Sequence, residues 1–479
     1  MTDFSQYRSI NLEFAIAPIL ARQQAKGVLF DLDNANALLR QLMAEKVRLK
    51  HLLQITFKPR ILNLGTIIPK VSSSKYHTKK GAAYTKIEFQ EYNPSSRPQT
   101  IDRLVKEMGW EPAEFTDKGN PTLTEEIIEI LPFEHIKPLK DYLTVDQRLK
   151  QLETGKISIM NSLKADGRIH GGIMQSGTVT GRMAHFRPNM NIPRNDKPWG
   201  KEFRALFTVP PGKIMIGCDA DSLEARTLGG FLKAFDKGEF IKAILTGKKE
   251  EGTDLHSLNS HAYQVNQYPQ GRDCSKTLLY GTIYGCGHAK RGLILQSFGV
   301  NLEDYVGEDF AKKWQQLRTW SVKKDRNWSD NYCKCFVAGQ LAAENFGNQF
   351  PALPALIADV TKQWKARGYL LGLDGRKLFP RTERSVFNTL NQSAGAIIMK
   401  KALQIADDKL SLKLEVGKDY EFILNVHDEM ELEVLDDPEV ITYTSKTLLE
   451  SIKEAGEFFK FPTPMKGNVT VGKNWSECH

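Results

Sequence analysis

The sequence predicts an α+β protein in which one small antiparallel sheet carries a pair of aspartates. A short apolar strand, Ile214–Cys218, runs directly into Asp219. Near the carboxyl terminus the apolar run Phe422–Val426 leads into His427 and Asp428, and apolar and acidic residues then alternate with a period of two. This pattern predicts a β-hairpin with His427 and Asp428 at its tip. The two aspartates can meet only if their strands are neighbours.

Helical patterns fill most of the chain outside these strands. Apolar periodicity predicts a helix over Asp33–Leu53, and the stretch Asn93–Ser96 is typical of a turn followed by a helix start. From Leu223 to about Lys409 helical patterns dominate, although Gly and Pro break them at 345–354 and 368–380. We therefore expect helical domains before the sheet strands and between them.

The composition is that of an ordinary globular protein. The 479 residues exceed what one hydrophobic core supports and suit roughly three domains of about 150 residues each. Apolar residues make up 41% of the chain and charged residues 26%. No stretch approaches the ~20 apolar residues of a membrane span, and the amino terminus lacks the apolar segment of a signal peptide. Six cysteines without paired CxxC spacing indicate reduced, intracellular thiols rather than a zinc site.

Positive charge is concentrated in one segment. The net charge is +9 and the pI about 9.0, which suits a polyanionic partner. The segment from Gln54 to Ile87 contains seven basic residues and no acid, in a loop rich in Ser, Lys and Gly. An isolated run of this kind is often a solvated loop, but beside a nucleotide site it favours binding to a phosphate backbone. The basic residues are Lys58, Arg60, Lys70, Lys75, Lys79, Lys80 and Lys86.

Asp219 and Asp428 have the chemistry of a two-metal phosphoryl-transfer site. This reaction needs charge neutralisation on the attacking and leaving oxygens, which two Mg²⁺ ions about 3.5–4 Å apart provide. Carboxylates suit Mg²⁺ because the ion prefers hard oxygen ligands and keeps water and substrate oxygens at its other positions. Either aspartate alone could be an ordinary turn or cap residue. The pair, together with the helix between them, favours nucleotidyl transfer.

That intervening helix carries a cationic stripe. Arg272, Lys276 and Tyr280 are spaced four residues apart, so each is displaced by only ~40° from the last and all three share one face. A guanidinium and an ammonium group ~6 Å apart along the axis suit the phosphates of a triphosphate. Tyr280 offers an aromatic face to a base or sugar, and Gly281 permits close backbone approach. A purely structural amphipathic helix shares the spacing but rarely this set of residues.

These motifs resemble those of family A DNA polymerases, most closely the bacteriophage replicative members. Asp219–Arg226 resembles motif A, Arg272–Gly285 motif B and Val426–Glu429 motif C. Similar segments flank the three motifs, so the resemblance extends over most of the chain. These segments are Gly27–Asp31, Asn93–Ser96, Thr178–Arg182, Asp254–His256, Asn388–Gly395 and Asn474–His479.

The resemblance implies a right-hand polymerase with an antiparallel-sheet palm and a helical thumb and fingers. The implied reaction is extension of a DNA primer 3′-hydroxyl with dNTPs and two Mg²⁺ ions on a DNA template. A phage replicative role in the cytoplasm of a bacterial host is the expected setting. The expected segments are a palm-proximal segment at 1–30, a thumb at 31–150 with its basic loop at 54–87, palm residues 151–235, fingers 236–385 and a second palm part at 386–479.

The resemblance also implies roles at the nucleotide. Asp219 and Asp428 would be the metal ligands, assisted by the carbonyl of Ala220, and Lys276 would donate a proton to pyrophosphate. Glu224 would exclude a 2′-hydroxyl, and Tyr280 would favour acceptance of dideoxynucleotides. The implied dNTP-binding residues are Arg272, Lys276, Tyr280, His256 and Glu224.

A second group of residues is implied to contact DNA. Tyr284 would stack near the templating base, and others would monitor the primer terminus in the minor groove, where every base pair offers hydrogen-bond acceptors. Taken singly, such residues have structural alternatives: Glu224 could be a surface helix residue, His256 a cap and Gln392 a core amide. The minor-groove group is Arg182, Asn388, Gln392 and His427, and backbone contacts are expected from Lys58, Arg60, Lys70, Lys75, Lys79 and Lys80.

The chain departs from the family pattern in several places. No exonuclease motif precedes residue 30, which predicts that a 3′–5′ exonuclease is lacking and that a separate polypeptide supplies it. Residues 54–87 stand where phage members carry a longer basic insertion that recruits thioredoxin, which leaves thioredoxin use open. Asp221 stands where motif A usually has Ser, and we interpret it as a cap of the following helix. The segment around Asn189 and Asn191 is one residue short, so neither receives a role.

Other functions compete with this interpretation. A single-subunit RNA polymerase shares the two aspartates and a similar helix, but Glu224 and Glu429 argue against it. A non-catalytic DNA-binding replisome subunit would have no chemical reason to keep Asp219, Asp428, Arg272 and Lys276. A repair or translesion polymerase is compatible with the same residues. Candidate partners besides primer-template DNA and dNTPs are a separate exonuclease subunit, a helicase-primase and a processivity factor; no membrane association is expected.

Overall fold

Helices make up most of the regular structure in the computed structural model, which describes residues 8–116, 119–131, 133–326 and 328–478. In this described part of the chain, no helix combines the length and the apolar composition of a membrane span. The α-helices are α1 (Arg8–Lys26), α2 (Leu32–Thr56), α3 (Arg97–Met108), α4 (Glu125–Ile130), α5 (Pro138–Leu149), α6 (Gly200–Ala205), α7 (Leu223–Asp236), α8 (Glu239–Thr246), α9 (Leu255–Ala262), α10 (Gly271–Ile283), α11 (His288–Ser297), α12 (Leu302–Val306), α13 (Phe310–Lys323), α14 (Asp330–Gln349), α15 (Ala352–Arg367), α16 (Val386–Leu410) and α17 (Pro438–Phe458).

The strands form small antiparallel sheets, which together with the helices confirm the predicted α+β class. One sheet has four strands in the order β11-β12-β8-β13 and another has three in the order β4-β1-β7. The pairs β2–β3, β5–β6 and β9–β10 are two-stranded. The strands are β1 (Val28–Phe30), β2 (Arg60–Ile67), β3 (Tyr84–Gln90), β4 (Arg168–Ile169), β5 (Gly172–Met174), β6 (Ala184–Phe186), β7 (Phe207–Thr208), β8 (Lys213–Ala220), β9 (Leu370–Leu371), β10 (Lys377–Leu378), β11 (Tyr420–Val426), β12 (Glu429–Leu435) and β13 (Gly467–Gly472).

The four-stranded sheet joins the two aspartates. Asp219 lies near the end of β8, and Asp428 lies in the tight turn between β11 and β12. Strand β12 pairs with β8 so that Glu429 is directly opposite Asp219. The predicted hairpin and the predicted adjacency of the two strands are therefore confirmed. His427, also in the turn, adopts a positive φ of 57°, which lets the chain reverse within two residues.

Alternation along β12 separates a hydrophobic face from an acidic one. Met430, Leu432 and Val434 belong to the main core, whereas Glu429 and Glu431 point to the opposite face and are also buried. Helices α1, α16 and α17 supply the other side of the hydrophobic core. Their core residues include Leu12, Ile16, Ile19, Ile397, Ile398, Leu403, Leu448 and Ile452.

The chain forms two compact units, Met1–Leu39 with Leu149–His479 and Arg40–Arg148. The first unit holds both aspartates and the helices between them. The finer division into palm, thumb and fingers segments stays a prediction. The predicted segments that include residues 1–7, 117–118, 132, 327 and 479 extend at those positions outside the described residues.

The basic segment 54–87 is not an extended loop, as the sequence had suggested. Strands β2 and β3 form an antiparallel hairpin with Ile61 opposite Phe89, and the Ser, Lys and Gly residues occupy the connection at 68–83. Strand-forming side chains such as Ile61, Ile87 and Phe89 explain the pairing, because β-branched and aromatic residues favour extended backbone. The loop interpretation gave too much weight to the composition of the connection. The predicted helix start is confirmed, since Ser96 caps α3 by accepting a hydrogen bond from the Gln99 amide.

Candidate active site

The two aspartates meet at one end of the four-stranded sheet. The amide of Ala220 donates a hydrogen bond of 3.2 Å to the carbonyl oxygen of Asp428, which ties the hairpin turn to the end of β8. Asp219 and Asp428 are both half-buried. Burial, followed by the charge of Glu429, raises the pKa of the Asp428 carboxyl above its ordinary value. This end of the sheet therefore concentrates negative charge.

A buried arginine lies beneath this acidic end. Arg204 on α6 is 3% exposed and donates to both carboxylate oxygens of Glu429 at 3.3–3.4 Å. The indole nitrogen of Trp475 donates to Glu429 at 3.2 Å, and the Arg204 guanidinium lies 4.5 Å from the centre of the Trp475 ring. Together these contacts fix Glu429, the residue between Asp428 and the rest of β12. Arg204 could not be predicted from the sequence, since an isolated arginine on a short helix has no distinctive pattern.

Helix α10 places the cationic stripe beside α9. The predicted i, i+4, i+8 residues lie on one continuous helix, which ends at Ile283 with Tyr284 as its C-cap. The Arg272 guanidinium donates to Asp254 at 2.7 Å, and Asp254 also caps α9 by accepting from the His256 amide at 3.1 Å. Although burial acts to raise it, hydrogen bonds from Arg272 and Ser257 and the charge of Arg272 lower the pKa of Asp254 to about 2. Arg272 is thus held in place by an anion that is fully ionised at neutral pH.

His256 and Tyr280 continue this surface. The His256 ring is half-buried and 6.4 Å from the Tyr280 ring. Burial and then the charges of Lys276 and Arg272 lower the pKa of His256, so its imidazole is neutral at pH 7. Burial and the nearby charges of Glu224 and Asp428 raise the pKa of Tyr280, which therefore keeps its hydroxyl proton. Lys276 is exposed on the same face.

Glu224 connects α10 to α7 and to the turn before β6. Its carboxylate accepts a hydrogen bond from Arg182 at 3.0 Å and another from the Tyr284 hydroxyl. Its backbone carbonyl accepts from the Asn391 amide group at 3.1 Å. Three residues from separate parts of the chain therefore bind Glu224, two at its carboxylate and one at its backbone carbonyl.

A cleft of about 750 Å³ opens beside Glu224's partners. It is lined by Arg182, Gln392 and His427, three of the four residues predicted to contact the primer terminus. Asn388, the fourth, lies one helical turn before Gln392 on α16 but does not line this cleft. The cleft walls also include Asn189 and Asn191, to which no role was carried over. Polar donors thus line one concave surface next to the aspartates.

The sequence matches the model of the DNA polymerase family A proteins over residues 69–477. The chain belongs to DNA polymerase family A. Among its relatives, the DNA-directed DNA polymerase of Enterobacteria phage T3 is 32% identical over 428 residues, and that of Escherichia phage T7 is 31% identical over 424 residues. Each alignment covers 83% of this chain and 54% of the phage protein. The chain thus spans about half the length of these relatives.

A solved family A structure has the same fold. The POL domain of Pol1 from M. smegmatis, solved in complex with DNA primer-template and dNTP, superimposes with a TM-score of 0.70 at 20% sequence identity. The superposition covers 97% of this chain and 70% of that domain. It establishes the α+β polymerase fold, which was the predicted fold class.

The carboxylates of this family A chain fit a divalent cation. Asp219 near the end of β8 and Asp428 in the adjacent hairpin turn offer hard oxygen ligands, and the backbone of Ala220 is hydrogen-bonded to that turn. Burial raises the pKa of the Asp428 carboxyl by disfavouring its ionised form. A cation at this position would stabilise that ionised form. The donor set therefore suits Mg²⁺.

Asp221 does not cap the following helix, contrary to our interpretation of the sequence. Ser222 occupies the N-cap position of α7 with a φ of 51° and makes no side-chain capping hydrogen bond. The Asp221 carboxylate instead accepts from Arg226 at 2.7 Å and from the Ser222 hydroxyl at 3.0 Å. The left-handed turn at Ser222 directs Asp221 towards the side of the helix, where Arg226 lies one turn later. This polymerase family member therefore uses Asp221 to anchor Arg226.

Proposed function

We propose that this chain is a DNA-directed DNA polymerase that extends a primer 3′-hydroxyl with dNTPs in phage replication, in the cytoplasm of a bacterial host. The observation that carries the proposal is the pairing of β12 with β8, which brings Asp428 to Asp219 beside the Arg272–Tyr280 face of α10. The sequence identity of 31–32% to two phage enzymes named as DNA-directed DNA polymerases supports both the proposed DNA synthesis and the proposed role in phage replication.

Asp219, Asp428 and the carbonyl of Ala220 would hold two Mg²⁺ ions. When bound, the ions supply activation of the primer 3′-hydroxyl and neutralisation of charge on the phosphates. Arg272 would bind the triphosphate through charge-assisted hydrogen bonds, with Asp254 orienting its guanidinium. Lys276, exposed on the same face, would reach the phosphates and give a proton to the departing pyrophosphate. Neutral His256 would donate a hydrogen bond to a phosphate oxygen.

The sugar and base would be bounded by the residues around Glu224. Its carboxylate is held by Arg182 and Tyr284, which supports a role in excluding a 2′-hydroxyl. The protonated hydroxyl of Tyr280 would lie near the 3′ position of the incoming sugar. Tyr284, 44% exposed, would present its ring to the templating base.

The primer terminus would occupy the cleft lined by Arg182, Gln392 and His427. Their donors match the acceptors that every correct base pair presents in the minor groove, so they would test pairing geometry without reading sequence. Asn388 would act from the neighbouring turn of α16. The primer-template backbone would contact the hairpin through Lys58, Lys70, Lys75, Lys79 and Lys80, all exposed.

Arg60, also predicted to bind DNA, has other partners. Its guanidinium donates to Asp102 at 2.6 Å and to Gln90 at 3.1 Å, which ties β2 to α3 and β3. We expect a smaller contribution to DNA binding from Arg60 than from the exposed lysines, because its charge is already compensated.

The proposed organisation is a palm built from 151–235 and 386–479, a palm-proximal segment at 1–30, a thumb at 31–150 and fingers at 236–385. The absence of 3′–5′ exonuclease activity in this chain stays a prediction. So do contacts with a separate exonuclease, a helicase-primase or a processivity factor.

Primer extension tests the proposal. With Mg²⁺ and dNTPs on a defined template, the wild-type chain should extend a matched primer, and Asp428→Ala should lose at least on the order of a thousandfold in rate. Asp408→Ala, which removes an exposed carboxylate on α16, should retain the wild-type rate. Extension with rNTPs in place of dNTPs would favour the RNA polymerase alternative. A mismatched primer 3′ end that is left uncleaved would agree with the predicted lack of a 3′–5′ exonuclease. If the wild-type chain binds primer-template without extending it, the non-catalytic alternative is correct.

A further inference from the structure

Four charged residues from distant parts of the chain form an ion cluster, here called the buried ion cluster, with two buried members and two partly exposed ones. Glu13 on α1 accepts hydrogen bonds at one carboxylate oxygen from Lys400 at 2.5 Å and from Arg376 at 2.8 Å. Arg376 also makes a forked pair with Asp374, at 3.0 Å through Nε and 2.6 Å through Nη2. Lys400 on α16 is 2% exposed and Asp374 is 4% exposed. The two cations and two carboxylates balance in charge, as burial requires.

The buried ion cluster holds the turn that connects β5 to β6. The hydroxyl of Ser176, in that turn, donates to Glu13 at 3.0 Å and accepts from Lys400 at 3.2 Å. On the other arm of the turn, Gly181 has a φ of 76° and packs so closely that a Cβ there would lie 2.6 Å from Nη1 of Arg376. The cluster therefore binds the turn through the Ser176 hydroxyl and packs against its other arm at Gly181.

Arg182 follows Gly181 directly and is the residue of this turn that we propose contacts the primer terminus. Its guanidinium pairs with Glu224 at 3.0 Å and lines the cleft beside Gln392 and His427. A second, small cavity of about 30 Å³, enough for roughly one water molecule, is lined by both Arg182 and Lys400. The cluster is therefore close to Arg182 at two places. Lys400 lines the same small cavity, and Arg376 packs against the preceding Gly181.

We propose that Glu13, Asp374, Arg376 and Lys400 are positioning residues that set Arg182 for recognition of the primer terminus. The inference rests on the proposed polymerase function. Replacing a buried ionic group by apolar side chains often costs little stability, so the cluster is not explained by stability alone. The forked pair with Asp374 holds the Arg376 guanidinium against Gly181, which limits how far this arm of the turn can move. A primer-terminus donor displaced by about 1 Å loses its selectivity.

A double-mutant cycle between the cluster and Arg182 tests the proposal. Extension rate and KM for primer-template are measured for matched and mismatched primer ends in wild type, Glu13→Gln, Arg182→Ala and the double variant. Glu13→Gln should slow matched extension about tenfold and mismatched extension much less, so that the matched-to-mismatched ratio falls. In the Arg182→Ala background the same substitution should change the ratio by less than about twofold. Glu454→Gln serves as the matched control, because it breaks an ion pair between Lys409 on α16 and Glu454 on α17. It should leave the ratio unchanged.

The possible outcomes separate the inference from the proposed function. If the wild-type chain does not extend primers, the proposed function fails. If it extends them but Glu13→Gln lowers the ratio equally with and without Arg182, or lowers only the melting temperature, the positioning role is wrong. If the Glu13→Gln variant fails to fold, the Ser176→Ala variant is tested in its place, because it removes only the hydroxyl that binds Glu13 and Lys400. It should lower the ratio in the same direction by a smaller factor, and an unchanged ratio would overturn the inference.

Discussion

The hydroxyl of Tyr280 carries a prediction about the acceptance of dideoxynucleotides. It lies among Glu224, Asp428 and His256 and stays protonated, so it can replace a hydrogen bond that a missing 3′-hydroxyl would have made. We expect the wild-type chain to incorporate ddNTPs within about tenfold of dNTPs. Tyr280→Phe should increase discrimination on the order of a hundredfold, the value of one hydrogen bond to a charged partner. Single-turnover incorporation of ddNTP and dNTP measures both, and a wild-type enzyme that rejects ddNTPs by orders of magnitude would contradict the role.

Glu224 offers a second prediction for single residues. Glu224→Ala should raise the ratio of rNTP to dNTP incorporation, because the carboxylate no longer occupies the space of a 2′-hydroxyl. Tyr284→Phe deletes the hydroxyl that donates to Glu224 but keeps the ring, so it should raise the same ratio by a smaller factor. Steady-state kcat/KM for both sugars provides the measurement. Glu239→Ala, at the start of α8, is a suitable acidic control, and equal ratios in all three variants would show that Glu224 does not select the sugar.

The junction between α9 and α10 gives a prediction about elements. The folded-state pKa of Asp254 is about 2, against 3.8 for an ordinary aspartate. A lowered pKa means that the ionised carboxylate stabilises the folded state above about pH 4 and that this stabilisation is lost as the pH falls towards 2. The free energy of unfolding in urea should therefore fall more steeply from pH 5 to pH 3 in wild type than in Asp254→Asn.

Asp273 provides the control for this junction. Asp273 is exposed, and its carboxylate makes a long contact of 3.8 Å with the Arg272 guanidinium, which solvent screens. Asp273→Asn should therefore follow the wild-type pH profile. Parallel profiles for wild type and Asp254→Asn would mean that the Arg272 pair does not stabilise the junction.

Helices and strands could be predicted from the sequence where neighbouring residues determine them. The α2 periodicity, the Ser96 cap and the alternation around His427 and Asp428 are set by neighbouring residues, and the structure confirms them. The β2–β3 hairpin was missed because a polar connection of sixteen residues hides two strands that pair only with each other. Asp221 was misinterpreted because capping depends on the backbone angles of Ser222, which sequence does not reveal.

At the scale of the whole molecule, the contacts that position the site join residues far apart in sequence. Glu13 and Lys400 are separated by 387 positions and Arg204 and Glu429 by 225. No periodicity or spacing rule links such pairs, because their meeting depends on how α1, α6 and the sheet pack. The motif residues could be recognised because their types and order are distinctive. Their supporting residues could not, since a buried Glu, Lys or Arg has no local signature.

Charge distribution leads to a prediction for the whole molecule. The net charge of +9 and the exposed lysines of the β2–β3 hairpin imply that binding to primer-template releases counterions. Changing Lys70, Lys75, Lys79 and Lys80 together to Gln should weaken DNA binding and reduce the slope of log K against log salt by roughly 0.9 for each lysine that contacts a phosphate. Fluorescence anisotropy with a labelled primer-template at several salt concentrations measures the slope.

An equal change in net charge elsewhere separates local contact from overall attraction. Changing Lys418, Lys446, Lys453 and Lys460 to Gln removes the same charge from the first compact unit. This change should leave the slope nearly unchanged, because three of these lysines already pair with glutamates. Arg60→Gln should also have little effect on the slope, since Asp102 compensates that guanidinium. If both fourfold variants reduce the slope equally, the lysines act only through the net charge of the protein. If only the hairpin variant does, β2–β3 is a DNA-binding element, and its lysines rather than its arginine contact the phosphates.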